Sequence, residues 1–386
     1  MFEDALHDLS RRHLLRRPRP LESACGPLVS LDGHEIILLA SNDYLGLSTH
    51  PALVHAAVTA TERYGIGAGA ARLVSGTLPP HVELEAALAA FKGTARALLF
   101  GSGYLANIGV LPALIGSGGL ILADRLCHAS LLDGCRLSGA DFRVYRHRDM
   151  AHLDSLLKKR AGGRRTLIVT DGVFSMDGDL APLPDLLALA ERYGAHLLVD
   201  DAHGTGVMGQ HGRGTAEHFS VEDRLPFHMG TLSKALGGIG GYVVGPDDVI
   251  QYLINRARSF IYTTAPPPAT AAAALAALDI IRHEPDRRER LWANRAYLLK
   301  GLNDLGFRLA DTATPILPIL IGDTERASVL AARLLELGVY APAIRPPTVP
   351  EGSARIRVTV TSEHTCAHLD RALAAFRQAG EERRVI

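Results

Sequence analysis

The chain has 386 residues, 47% of them hydrophobic and 21% charged, and its 41 basic side chains balance 41 acidic ones. That composition excludes an extended disordered chain, and zero formal charge removes any bulk attraction to nucleic acid or an anionic membrane. The four cysteines, Cys25, Cys127, Cys135 and Cys366, form no C-x-x-C pair and lack histidines at zinc-ligand spacing. No metal is therefore expected, and the thiols read as those of a reduced, cytoplasmic protein. The N-terminus lacks the basic-then-apolar order of a signal peptide, and no apolar stretch has membrane-spanning character.

Residues 1–39 read as an N-terminal arm, in which Leu6, Leu9, His13 and Leu14 follow helical spacing before a cluster of Arg11, Arg12, Arg16, Arg17 and Arg19. Such a cluster is ordinarily a solvated helix end; Arg17 is kept as a candidate substrate contact. Residues 40–280 alternate short aliphatic runs with helical stretches, the pattern of a large α/β domain. Strands are predicted over 97–100, 120–123, 142–145, 166–170, 196–199, 227–230 and 241–244, with helices over 80–91, 105–114, 151–160 and 183–193. Because several strands are continuously apolar, helices should cover both faces of a mostly parallel, seven-stranded sheet. Residues 281–386 read as a smaller α+β domain, with strands over 316–321 and 356–360 and a helix over 326–337.

Unusual polar residues cluster where predicted strands end, the place where ligands gather in such sheets. In His196-Leu-Leu-Val-Asp200-Asp-Ala-His203-Gly, Asp200 closes an apolar strand, and a buried carboxylate needs a cationic partner. A protonated pyridine nitrogen meets that need; a capped surface turn is the bland alternative. In Thr231-Leu-Ser-Lys234-Ala-Leu-Gly-Gly, a lysine follows two hydroxyls and precedes a glycine turn, which suits a Schiff-base amine beside a phosphate. In Gly101-Ser-Gly103-Tyr104-Leu-Ala, a strand gives way to a helix whose first amides suit a phosphate. The same segment fits a G-x-G-x-x-A dinucleotide fingerprint with Asp124 at the next strand end, so an NAD-dependent oxidoreductase is a competitor. It leaves Asp200, His203 and Lys234 unexplained.

Five segments resemble the α-oxoamine synthases, fold-type I transferases that use pyridoxal 5'-phosphate (PLP): Ser41-Asn-Asp-Tyr-Leu-Gly-Leu47, Asp124-Arg-Leu-Cys-His128-Ala-Ser-Leu-Leu-Asp133, Asp171-Gly-Val-Phe-Ser175-Met-Asp-Gly-Asp179, Val199-Asp-Asp-Ala-His203-Gly-Thr-Gly206 and Ala343-Ile-Arg-Pro-Pro-Thr348-Val-Pro. The resemblance runs from about Ser41 to Thr361 and implies a decarboxylative condensation of an amino acid with an acyl thioester. The branch most resembled implies L-alanine and a pimeloyl thioester; sister branches use glycine in aminoketobutyrate ligase or aminolevulinate synthase reactions. It implies Lys234 as the PLP lysine, Asp200 on the pyridine nitrogen, His203 and Ser175 near the ring hydroxyl, and His128 stacked on the ring. Gly103 and Tyr104 amides and the Thr231 hydroxyl would hold the phosphate. Thr264 would reach the phosphate of a neighbouring subunit, which implies a homodimer with shared sites. Arg357 is similar to the arginine that grips the substrate carboxylate, although Arg355 should share its face; Asn42 and Thr348 match substrate-side positions. The chain departs from the pattern at Ala68, Ala70 and Ala71, and at Ala265, where glycine or serine is frequent.

Overall fold

Glycine and proline punctuate the chain where its apolar runs change period, and the computed structural model, which describes residues 2–386, has its elements between those marks. In chain order they begin with α1 (Phe2–Arg11), the hairpin strands β1 (Leu28–Leu31) and β2 (His34–Leu38), α2 (Pro51–Tyr64) and α3 (Pro79–Lys92). There follow β3 (Arg96–Phe100), α4 (Gly103–Leu114), β4 (Leu120–Asp124), α5 (Ala129–Leu137), β5 (Asp141–Tyr145), α6 (Met150–Arg160), β6 (Thr166–Asp171), α7 (Leu183–Tyr193) and β7 (His196–Asp200). The middle of the chain continues with α8 (Thr215–His218), β8 (His228–Thr231), β9 (Gly241–Gly245), α9 (Asp247–Arg256), α10 (Arg258–Ile261) and α11 (Pro268–His283). Last come α12 (Asp286–Asp304), β10 (Ile316–Gly322), α13 (Thr324–Glu336), β11 (Val339–Tyr340), β12 (Ala343–Ile344), β13 (Ala354–Thr359) and α14 (Cys366–Glu382).

The chain divides into two compact units: residues 50–174 with 180–285, and residues 2–49 with 175–179 and 286–386. These breaks differ from the expected ones after residues 39 and 280. The arm is more than a helix, because β2 pairs in parallel with β11, Ile37 opposite Val339. That pairing groups the N-terminal residues with the C-terminal ones.

The larger unit holds a seven-stranded sheet in the order β3-β9-β8-β7-β6-β4-β5. Its strands run parallel except β9, which is antiparallel to both neighbours. One face buries Val110, Leu131, Val169, Leu198 and Val243 beneath α4, α5 and α9; the other buries Leu122, Ile168, Leu186 and Val199 beneath α6 and α7. Two apolar faces explain the continuous runs in the sequence. Helices stop where glycine takes the left-handed conformation: Gly93 (φ 69°) after α3 and Gly194 (φ 61°) after α7.

The smaller unit holds two three-stranded sheets, β1-β2-β11 and β10-β13-β12. His364 lies buried in the turn from β13 to α14, where its Nδ1 accepts the Thr361 N–H at 3.0 Å. Burial pushes its pKa down to about 4. A histidine depressed in the native state binds its proton first when unfolded, so stability should fall as pH drops from about 6.5 towards 4. Urea titrations at pH 7 and pH 5 should show a loss on the order of 2 kcal/mol, reduced in His364→Gln. Among the described residues, no helix is long and apolar enough to cross a membrane.

Candidate active site

Within the larger unit, neighbouring strands β6 and β7 end together, with Asp171 in register with Asp200. Both are buried. Asp200 Oδ1 accepts the Ala202 N–H at 3.0 Å, and Oδ2 accepts Asn107 Nδ2 at 2.8 Å. Both donors are neutral, so among the described residues these bonds orient the carboxylate without neutralising it. Burial first, and the Asp200 charge second, push the Asp171 carboxyl well above the usual range, against the pull of the His128 N–H and of Lys234. Two adjacent carboxyls in a poor solvent for charge favour a cation beside Asp200. His203 lies buried three residues on.

The His128 backbone N–H donates to Asp171 Oδ2 at 2.8 Å, and its side chain caps α5. Desolvation of the ring draws its pKa down; Asp200 opposes this and Lys234 adds to it. The charge on half-buried Lys234 is therefore felt by both His128 and Asp171.

At the end of β8, Thr231 Oγ1 donates to Gly240 O at 2.7 Å, which leaves Ser233 Oγ as the donor in the 2.7 Å contact between the two hydroxyls. The start of α4 comes close to this point, since a Cβ on Gly103 would lie 3.5 Å from Thr231 Oγ1. A Cβ on Gly241 would lie 2.5 Å from Ser102 O, so glycine there is a condition for seating the helix start. Ser102 Oγ accepts the Leu105 N–H at 3.1 Å, and no acidic residue occupies the first turn of α4. Its positive end therefore remains available to an anion. A buried acid that wants a cation, a lysine close by and a glycine-lined helix start for a phosphate together fit PLP.

Thr264 is exposed and bridges Ala71 in antiparallel fashion, while the Ala265 N–H donates to Ala70 O at 3.0 Å. Ala70, Ala71 and Ala265, three of the alanines that depart from the family pattern, are thus held through backbone. Asp124, the acid that a dinucleotide reading assigns to a ribose, is 1% exposed and accepts from Leu126 N, Arg148 N and His147 Nδ1. That carboxylate is already occupied by structural bonds.

The smaller unit gathers a second set. Arg357 is buried on β13, where Nε donates to Ser175 O at 2.6 Å and Nη2 to Asn42 Oδ1 at 3.1 Å. Arg355 turns to the same segment but meets Asp177, at 2.5 Å, as well as Met176 O. One arginine is neutralised; the other, among the described residues, meets only neutral acceptors. Buried Tyr44 senses this charge: burial raises its phenol pKa and Arg357 opposes the rise. Thr348 receives a hydrogen bond from Arg16 Nη2 at 3.2 Å; Arg16 and Arg17 are both exposed. The arm residue that meets Thr348 is Arg16.

Sequence reasoning assigned no role to Asn107, Ser130 or Asp171. The available clue to Asn107 was a lone amide in the apolar run of α4; Asp171 stood inside a quoted motif without attracting a function.

The family model for aminotransferase class I and II matches residues 34–376. The 8-amino-7-oxononanoate synthase of Geobacter sulfurreducens is 52% identical over 98% of this chain and 97% of its own. That of Symbiobacterium thermophilum is 48% identical over 98% and 97%. Among solved structures, serine palmitoyltransferase from S. paucimobilis with bound PLP and myriocin superposes with a TM-score of 0.96 at 33% identity, covering 100% of this chain and 98% of its own. A buried acid at a strand end, a half-buried lysine whose charge reaches its neighbours, a sheet of this order and likeness along the full chain lead to one assignment: the protein belongs to the aminotransferase class I and II family, and its cofactor is PLP.

Proposed function

We propose that the protein is an 8-amino-7-oxononanoate synthase, which condenses L-alanine with a pimeloyl thioester in biotin biosynthesis. The observation that carries this reading is the buried Asp200 carboxylate, which accepts from the neutral donors Asn107 Nδ2 and Ala202 N, in a chain 52% identical to such an enzyme. When bound, PLP supplies an electron sink for the pair released at the amino acid's Cα. Asp200 would hold the ring nitrogen in its protonated form, and Arg357 would bind the carboxylate of alanine through its planar fork. Lys234 Nζ would anchor the cofactor, and its amine is the group that would take the Cα proton. A carbon–carbon bond forms from Cα to the thioester carbonyl, and the carbon–sulfur bond breaks to release the thiol. The alanine carboxylate then leaves as carbon dioxide, and a proton returns to Cα.

A homodimer completes this reading, with Thr264 reaching the phosphate in the partner's site. Support comes from exposed apolar side chains around the bridged segments: Ile66 is 81% exposed, Val74 80% and Tyr262 72%. Sedimentation should give twice the chain mass, and mixing two inactive variants, one lacking Lys234 and one altered at Thr264, should restore activity.

The direct test mixes the protein with PLP, one amino acid and a panel of acyl thioesters, and follows thiol release. Alanine with a pimeloyl thioester should be the preferred pair. The likeness to serine palmitoyltransferase favours a second reading, serine with a long acyl chain. A preference for that pair, or for glycine, would overturn the first. Arg357→Lys replaces a fork with a point charge, which forfeits about 1.5–3 kcal/mol of charged hydrogen bonding. The KM for alanine should rise by about 10- to 100-fold, with less change in that for the thioester.

A further inference from the structure

Asp200, Asn107, Ser130 and His128 form an unbroken chain of hydrogen bonds whose directions follow from chemistry. Asn107 is 1% exposed, with its amide between Asp200 and Ser130. Turned the other way, the amide would set its carbonyl oxygen against the Asp200 carboxylate, acceptor to acceptor, so Nδ2 faces Asp200. Its two hydrogens are then both used, on Asp200 Oδ2 at 2.8 Å and on Ser130 Oγ at 2.9 Å. Ser130 Oγ lies 2.7 Å from His128 Nδ1 and has a single hydrogen to give. The Ser130 backbone N–H points to the same nitrogen at 3.3 Å. An imidazole nitrogen that receives these donors carries no proton, so the ring proton sits on Nε2. Asn107 Oδ1 is buried and has no hydrogen-bond partner among the described residues, so the amide is retained for its two donated bonds.

We propose that Asn107 and Ser130 are positioning residues that tie Asp200 to His128 and hold His128 as the neutral Nε2–H tautomer. The inference rests on the PLP reading of both ends of the chain. Through this network Asp200 is oriented to keep a positive charge on the cofactor ring, while the imidazole stacked on that ring is kept uncharged. Protonating Nδ1 would require the Ser130 hydroxyl and amide hydrogens to withdraw together. The charged groups that bear on the ring are Asp200, Lys234 and Asp133, with Asp171 bonded to its backbone amide. Asn107 and Ser130 need not touch substrate for this role.

The test uses full-length protein labelled with 15N-histidine, without PLP, with the His128 signals identified by their loss in His128→Gln. Nδ1 should resonate as an unprotonated nitrogen and Nε2 as a protonated one. In Ser130→Ala the two signals should move towards each other as tautomers exchange, and Ser130→Thr should restore the wild-type pattern. With 15N-labelled PLP bound, Asn107→Ala should shift the ring-nitrogen signal towards the unprotonated position. Protonation of Nδ1 in the wild type, or an unchanged His128 in Ser130→Ala, would overturn the proposal; so would an unmoved ring nitrogen in Asn107→Ala. Should Asn107→Ala fail to fold, the wild type and the Ser130 pair still decide. Failure of borohydride to fix PLP on Lys234 would instead sink the PLP reading, while the tautomer in the cofactor-free protein is judged separately.

Discussion

Lys234→Ala protein treated with PLP and borohydride should carry no label in the peptide that spans residue 234, and its thiol release should fall by at least about 10²–10⁴-fold. The chain has five lysines, so the alternatives are few. Lys92 Nζ is bonded to Asp201, Thr205 and Arg213 in the interior. Lys158, Lys159 and Lys300 are exposed on helix surfaces. Lys234 alone is half-buried, and its charge is felt by His128 and Asp171. On the proposed mechanism, losing it would remove both the anchor for the cofactor and the base for the Cα proton, so the two readouts should fail together. Label on another lysine, or turnover within tenfold of the wild type, would refute the assignment.

Lys92→Met should destabilise the protein by about 3–5 kcal/mol, because it leaves a buried charge without its counterpart. The ammonium ends α3 with 1% of its side chain exposed, facing Asp201 with 3% exposed. Its three hydrogens match three acceptors: Asp201 Oδ2 at 3.1 Å, Thr205 Oγ1 at 2.9 Å and Arg213 O at 2.5 Å. Asp201 is gripped from the other side by Thr215 Oγ1 at 2.8 Å and Thr215 N at 3.1 Å. Glycine lines the pair, since a Cβ on Gly204 or Gly214 would fall 2.1 or 1.6 Å from an Asp201 oxygen. Burial pulls the Lys92 pKa down, but Tyr242 and Asp201 outweigh it and the net direction is up. A lysine raised in the native state contributes fully below its ordinary pKa and loses that contribution as pH climbs through the raised value. The pair should therefore hold across the neutral range. Urea unfolding at pH 7.5 checks this, and a loss below about 1 kcal/mol would show that the interior tolerates Asp201 alone.

The sheet was legible because each of its strands is buried or bounded by turn residues, so that 166–170 or 196–199 read as strands without any partner in view. The helices over 80–91 and 183–193 were legible too, and in the structure α3 and α7 end on the left-handed Gly93 and Gly194. The hairpin of β1 and β2 was not legible, because β2 completes its sheet with a strand from the far end of the chain. Local pattern carries no trace of such a partner. The polar residues at strand ends were legible as candidates because charge is costly there. Their ordering was not: Arg355 and Arg357 are equivalent by strand spacing, and only Asp177 beside the first tells them apart. Asn107 escaped notice because an amide inside an apolar helix is defined by what it meets on other elements.

The smaller unit is assembled from both ends of the chain plus the five residues 175–179. During synthesis, the first 49 residues must wait until β11 has been made before β2 gains its neighbour, whereas the sheet of the larger unit has all its strands once Gly245 is reached. A fragment beginning at Asp286 would contain β11 but lack β2, leaving that edge uncovered and prone to self-association. Tags, fusions and genetic splits placed near residue 285 should consequently yield aggregating C-terminal pieces, even though the cut falls between helices.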